Sequence, residues 1–192
     1  MPRIMSRTAA RVALFCLASL AAAPALSKVE VQGVQHAKAG RILAVQISEE
    51  IAPGDYESLM QGLRANPGKF DRKLALLDSI GGSVAEAIRM GRLLRETGFE
   101  VMVPSDGLCQ GSCVYLLAAG LKKTVKGYVG LHRPYFPEGD SARAAEASGR
   151  YSPAAYLKEM NIPLSLLDAM HSAEPTRMRV LTRDELDRYR LN

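Results

Sequence analysis

The chain has few metal-binding side chains and few cysteines. Its 192 residues include only three histidines, at 36, 132 and 171, and three cysteines, at 16, 109 and 113. No histidine stands at ligand spacing to a cysteine, so neither a metal ion nor a cofactor is implied. No acidic residue precedes Glu30, and the apolar run Val12–Ala22 is too short to span a bilayer comfortably. Internal repeats and low-complexity tracts are also missing, so one compact globular unit is expected.

The first residues follow another pattern. Arg3, Arg7 and Arg11 precede the apolar run, and small residues follow it in AAAPALS (Ala21–Ser27). A positive region, an apolar stretch and a small-residue cleavage site make up a secretory signal peptide. Residues 1–27 are therefore expected to be removed, with cleavage after Ala25 or Ser27, leaving no stable membrane span. The implied location is periplasmic or secreted. Cys16 follows the bulky Phe15, which does not suit a lipid-attachment site. Three arginines and no acid leave with the leader, lowering the formal charge from +5 to +2. That removes the cationic argument for nucleic acid as a partner. About 165 residues remain, enough for one domain with a proper core.

Loss of Cys16 leaves Cys109 and Cys113 as an even pair, and in an exported protein such a pair reads as a disulfide. Four residues of separation suit a sharp turn and would strain a regular helix. Two reduced cysteines packed beside the turn, or a redox pair, are the rival readings.

Strands alternate with helices along the rest. Val29–Gly40 reads as an irregular arm. Arg41–Ser48 is a β-branched strand, Asp55–Ala65 a helix, and Lys73–Asp78 a buried strand. Ser83 and Glu86 form a capping box ahead of an apolar stripe that Gly98 ends. Glu100–Val103 is a strand, Val114–Ala119 an apolar helix, and short strands are expected near Thr124–Val125 and Tyr128–Leu131. Pro134–Ser152 is small and polar and reads as a loop. The C-terminal part is helical, from Ser152 or Pro153 to Met160 and from Pro163 towards Met170, with a second capping box at Thr182 and Glu185. This order predicts an α/β domain with largely parallel pairing over residues 41–192.

Three short segments carry the chemistry. Gly81-Gly82, between a strand and a capped helix, permits positive φ and close approach of a ligand to free N–H groups. The turn CQGSC (Cys109–Cys113) supplies a serine at the start of an apolar helix, and GLHRP (Gly130–Pro134) supplies a histidine. Taken singly, these read as a tight turn, a helix N-cap and a structural histidine. Taken in this order they are the parts needed for acyl transfer.

With these segments in hand, SIGGSVAEAI resembles the SPGGSV segment of Clp protease proteolytic subunits. GLCQGSCVYLLAAG is similar to their GQAASMGSLLLAAG, and LTRDELDRYRL to their terminal motif. VGLHRPYF and YLKEMNIPLSLLDAM resemble the small exported ClpP-like proteins of proteobacteria. The likeness covers roughly Arg41 to Leu191. It implies a single α/β domain of the ClpP/crotonase type, built of repeated β-β-α or βαβ units with a helical C-terminal part. It also implies Ser112 as nucleophile, His132 as general base, and oxyanion donors at Gly81, Gly82 and Cys113. Two positions depart from the pattern. Alignment on LLAAG puts Gly111 at the nucleophile position and Ser112 one residue later, a rotation of about 100° at a helix start. The terminal motif puts Met178 where a Clp subunit has its orienting aspartate, so only Glu174 or Asp168 remains nearby as a substitute.

Three functions follow. The first is an exported serine hydrolase, a peptidase working by Ser–His acyl transfer without ATP on peptides or unfolded polypeptide. The second is a non-catalytic relative that keeps the groove and the oligomeric surface. The third is crotonase-type CoA chemistry, against which export argues. Self-association is typical of the resemblance and implies a homo-oligomer.

Overall fold

A computed structural model of the chain describes residues 29–132, 152–174 and 177–192. The expected signal peptide and most of the expected loop 134–152 lie outside the described residues. Eight strands form one sheet. They are β1 (Val29–His36), β2 (Gly40–Ile51), β3 (Arg72–Gly82), β4 (Glu100–Val103), β5 (Leu108–Gln110), β6 (Lys123–Val125), β7 (Tyr128–Leu131) and β8 (Arg179–Val180). The helices are α1 (Asp55–Ala65), α2 (Val84–Glu96), α3 (Cys113–Ala119), α4 (Pro153–Glu159), α5 (Ser165–Ser172) and α6 (Arg183–Arg188).

The sheet is parallel at its centre and along the β4–β6 arm, and antiparallel where β1 and β8 close its other margins. β2 pairs with β3 over almost its whole length, and β3 then serves two arms. Leu74–Leu76 pair with β4, which continues to β6, whereas Ser79 pairs with Cys109 of β5, which continues to β7 and β8. Beyond Ser79, Ile80 is passed over at a bulge, and Gly81 and Gly82 keep β2 on one side only. The α/β class with mainly parallel pairing is as the sequence implies.

One expectation is corrected. Val29–His36 is no irregular arm but a strand pairing antiparallel with β2, from Val29 opposite Ile47 to His36 opposite Gly40. Its sequence VEVQGVQH alternates apolar and polar, the period of a strand with one buried face. The sheet therefore begins at Val29 and not at Arg41. β5 and β8 are also strands where none was expected. Three and two residues are too few to show a period.

The core lies between one sheet face and the helices. Val45, Ile47, Ala75, Leu77, Val101, Val103, Val129 and Leu131 are buried there. Every residue of α3 is buried as well, which explains a helix sequence, CVYLLAA, without a polar face. The Tyr156 hydroxyl of α4 donates to the Tyr115 carbonyl of α3 at 2.8 Å, and the two rings meet edge to face. Burial pushes the Tyr156 phenol far above its ordinary range.

The capping box at Thr182 and Glu185 is complete, but that at Ser83 and Glu86 is only half formed. Ser83 accepts from the Glu86 N–H, while the Glu86 carboxylate turns away to cap the neighbouring helix. It accepts from the N–H groups of Gly54 (3.1 Å) and Tyr56 (3.0 Å) at the start of α1, and pairs with Arg89. Glu86→Ala leaves those two N–H groups without that acceptor in a partly buried place. Stability should fall by about 2 kcal/mol, measured by urea unfolding, and Glu86→Gln should recover part of it.

Lys123 on β6 carries a second strain on the fold. Burial first, and the Arg95 charge second, lower its amine from 10.5 to about 8. Between those two values the unfolded chain binds the extra proton, so this residue makes stability rise as pH climbs from about 8 to about 10.5. Lys123→Met should remove that rise in a wild-type-minus-variant comparison and stabilise the protein at pH 7.

Candidate functional site

The site grows from the open end of β3. Gly81 has φ of +89° and Gly82 of +145°, backbone that side-chain-bearing residues rarely adopt. Space demands glycine too. A Cβ on Gly81 would lie 2.6 Å from the Gln110 carbonyl oxygen and 3.0 Å from the Ser112 nitrogen. A Cβ on Gly82 would lie 2.9 Å from the Ile51 nitrogen and collide with its carbonyl oxygen. The pair therefore lets three chain segments pass at backbone contact, whatever else it does. The Gly81 N–H donates to Ser79 Oγ (3.2 Å), and that hydroxyl donates to the Glu49 carbonyl (2.6 Å). Among the expected oxyanion donors, Gly81 is thus already committed inside the fold.

The turn facing these glycines is held at both ends. Cys109 in β5 and Cys113 at the start of α3 are joined as a disulfide, their Cα atoms 5.3 Å apart, and both are fully buried. Of the readings left open for this pair, the disulfide is the one observed. Gly111 sits at the crest with φ of +55° and donates its N–H to the Gly130 carbonyl at 3.1 Å. A Cβ at 111 would meet nothing closer than the Ile80 carbonyl at 3.8 Å. A side chain there would have room.

Ser112 is differently placed. It is 6% exposed, takes helical φ and ψ ahead of α3, and gives its hydroxyl proton to the Gly82 carbonyl at 3.1 Å. A serine hydroxyl has one proton to donate, so this bond and a bond to an imidazole exclude each other. Cys113, as first residue of α3, keeps an N–H with no partner within the helix.

Ser112 and His132 line one cavity of about 330 Å³, with Gly82, Gly111, Ile80, Val84, Tyr115, Met170 and Met178. Ser112, His132 and Gly82 therefore come together as the sequence implies, although Ser112 is bonded to Gly82 and not to His132. Among the described residues His132 forms no hydrogen bond or ion pair, and no carboxylate lines the cavity. Asp168 and Glu174, the two possible substitutes for a third group, are exposed outside that lining.

Met178 occupies the place a third group would need. β8 runs antiparallel to β7 with Gly130 opposite Val180 and Leu131 opposite Arg179, and continuing that register by one sets His132 opposite Met178. Such neighbours have Cβ atoms about 5 Å apart. The Met178 side chain lies over Gly130, where any Cβ would collide with its sulfur. Tyr115 and Met170 were missed in the sequence. Tyr115 lies three residues after Ser112 on the same helix face, a spacing that could have revealed it.

No protein-family model matches the chain, and none of the curated proteins is similar to it. Among solved structures it is similar to the ClpP protease catalytic domain from Plasmodium falciparum. The TM-score is 0.55 at 15% identity, over 78% of this chain and 81% of that one. The chain has a ClpP-like fold.

The disulfide fixes the turn against the glycines. Closing so short a loop is worth about 2 kcal/mol on the chain-entropy account. The Cys109→Ala/Cys113→Ala variant should lose about that much in urea unfolding. Amide exchange should quicken most at residues 109–114.

Proposed function

We propose that this chain is an exported protein of ClpP-like fold that binds extended polypeptide at the open end of β3 and does not cleave it. The observation that carries the reading is the Ser112 hydrogen bond, which spends the only hydroxyl proton on the Gly82 carbonyl. Two features agree with it. Gly111 supplies no side chain at the crest of the turn, and His132 faces a thioether where an imidazole-orienting carboxylate would be needed. An imidazole without that partner loses on the order of ten-thousand-fold in turnover.

The binding half of the proposal rests on the groove. Ile80–Gly82 continue past their last pairing with β5, so one side of this strand end faces the cavity. Main-chain pairing there would hold an extended segment, with Ile80, Val84 and Met170 offering apolar contacts. Ile80 is 57% exposed, a large apolar side chain in the right place for a visiting chain. The arginine-led N-terminus and the buried disulfide support export to an oxidising compartment. Association with further copies of the chain belongs to the same proposal.

A Ser–His hydrolase is the second reading, favoured by the shared cavity of Ser112 and His132. A fluorophosphonate probe followed by intact-mass analysis separates the two. The wild-type protein should take no adduct, whereas Gly111→Ser/Met178→Asp, which restores a hydroxyl at the crest and a carboxylate opposite His132, should label. A stoichiometric wild-type adduct that disappears in both Ser112→Ala and His132→Ala establishes the hydrolase instead. Binding is tested with a fluorescein-labelled, carboxymethylated unfolded protein. Anisotropy should rise with wild type and not with Ile80→Glu, and equal behaviour of the two removes the groove from the proposal.

A further inference from the structure

The cavity holds a donor set of which polypeptide binding uses only the apolar surface of Met170. His132 directly follows β7 and Met178 directly precedes β8, both line the cavity, and Met170 enters it from α5. One imidazole and two thioethers thus line a common space, with no carboxylate among the described residues of its lining. Methionine elsewhere has an ordinary packing role, as Met90 does in the core. Met170 and Met178 differ in bordering open space beside a histidine that makes no hydrogen bond among the described residues.

Ligand softness decides what such a set takes. Carboxylate and carbonyl oxygen suit magnesium, calcium and manganese, while thioether sulfur selects monovalent copper and imidazole accepts it as well. All three donors are neutral when they ligate, so a singly charged ion brings only one charge into the cavity. That desolvation cost is far smaller than for a divalent ion. The neighbouring cysteines are closed as a disulfide and offer no thiolate to draw the ion away. Ile80 and Val84 screen the space with apolar surface, while half-buried His132 and Met178 leave it reachable from the mouth.

We propose that His132, Met170 and Met178 form an imidazole–thioether site for a monovalent copper ion, with silver(I) as its redox-inert equivalent. The site does not depend on the polypeptide-binding reading, because its ligands are side chains of this chain that line the cavity whether or not a polypeptide lies across the mouth.

The test uses the full chain carrying Cys16→Ser, so that a lone thiol contributes nothing. Copper(I) is titrated without oxygen against bicinchoninate as a competing chelator. Silver(I) is then followed by NMR of methionine methyl groups. One ion should bind per chain, and only the Met170 and Met178 methyl signals should shift. His132→Ala and Met178→Leu should each weaken binding by about tenfold or more. Met60→Leu and His171→Ala should leave it unchanged. Met178→Leu keeps the side-chain volume nearly constant, so loss of binding there is loss of a ligand and not of packing. No competition with bicinchoninate overturns the proposal. So does binding that survives both His132→Ala and Met178→Leu, or methyl shifts at other methionines.

Discussion

The approach on which the site depends is between Gly81 and the turn at residues 110–112. Without side chains at 81 and 82, the end of β3 passes at backbone distance from both Ile51 and the start of α3. Three independent bonds keep the turn there: the Cys109–Cys113 disulfide, the Gly111 N–H to the Gly130 carbonyl, and the Ser112 hydroxyl to the Gly82 carbonyl. Together they tie β3, β5, β7 and α3 at one point, and the cavity is the space left above that knot. Adding a methyl group at 81 would push the turn outward and separate Ser112 from Gly82.

That arrangement sets structure against chemistry at a single atom. A nucleophilic hydroxyl must give its proton to a base, whereas Ser112 gives it to a carbonyl that it helps to hold. The bond also occupies one lone pair of Gly82 beside the strand edge. The Gly81 N–H is likewise spent on Ser79, whose hydroxyl in turn fixes Glu49 at a positive φ of 61°. The local network is therefore internally satisfied. Such a network is rigid and suited to presenting a fixed edge to a ligand, but it leaves little freedom to stabilise charge appearing at a new oxygen.

Much of this was legible in the sequence, and the part that was not has physical reasons. The apolar stripe of α2, the wholly apolar α3 and the buried runs of β2 and β3 are periodic over many residues, so their class and position follow from pattern. SIGGSV and CQGSC marked the two facing turns because they stand in the order of the ClpP-like resemblance, whereas each alone reads as an ordinary turn. β5 and β8 escaped notice because two or three residues cannot display a period, and β1 because a glycine interrupts its alternation. The half-formed box at Ser83 misled in another way. Spacing shows that Glu86 can reach back to its own helix start, but only packing shows that the amides of Gly54 and Tyr56 are a better destination. The direction of the Ser112 hydroxyl was beyond the sequence for the same reason.

The two departures from a hydrolytic pattern, Gly111 and Met178, are coupled through geometry. A side chain at 111 would enter the cavity, and a carboxylate at 178 would stand opposite His132 on the next strand. With glycine at one place and methionine at the other, the cavity loses a hydroxyl and a negative charge together. Either loss alone would leave an awkward remainder: a carboxylate without a hydroxyl would be a buried charge serving no reaction, and a hydroxyl without a carboxylate would face an unoriented base. With both absent, the polar side chains among the described residues of the lining are an imidazole, a tied serine and the Tyr115 phenol. On the proposed reading His132 stands beside two thioethers and serves as a ligand.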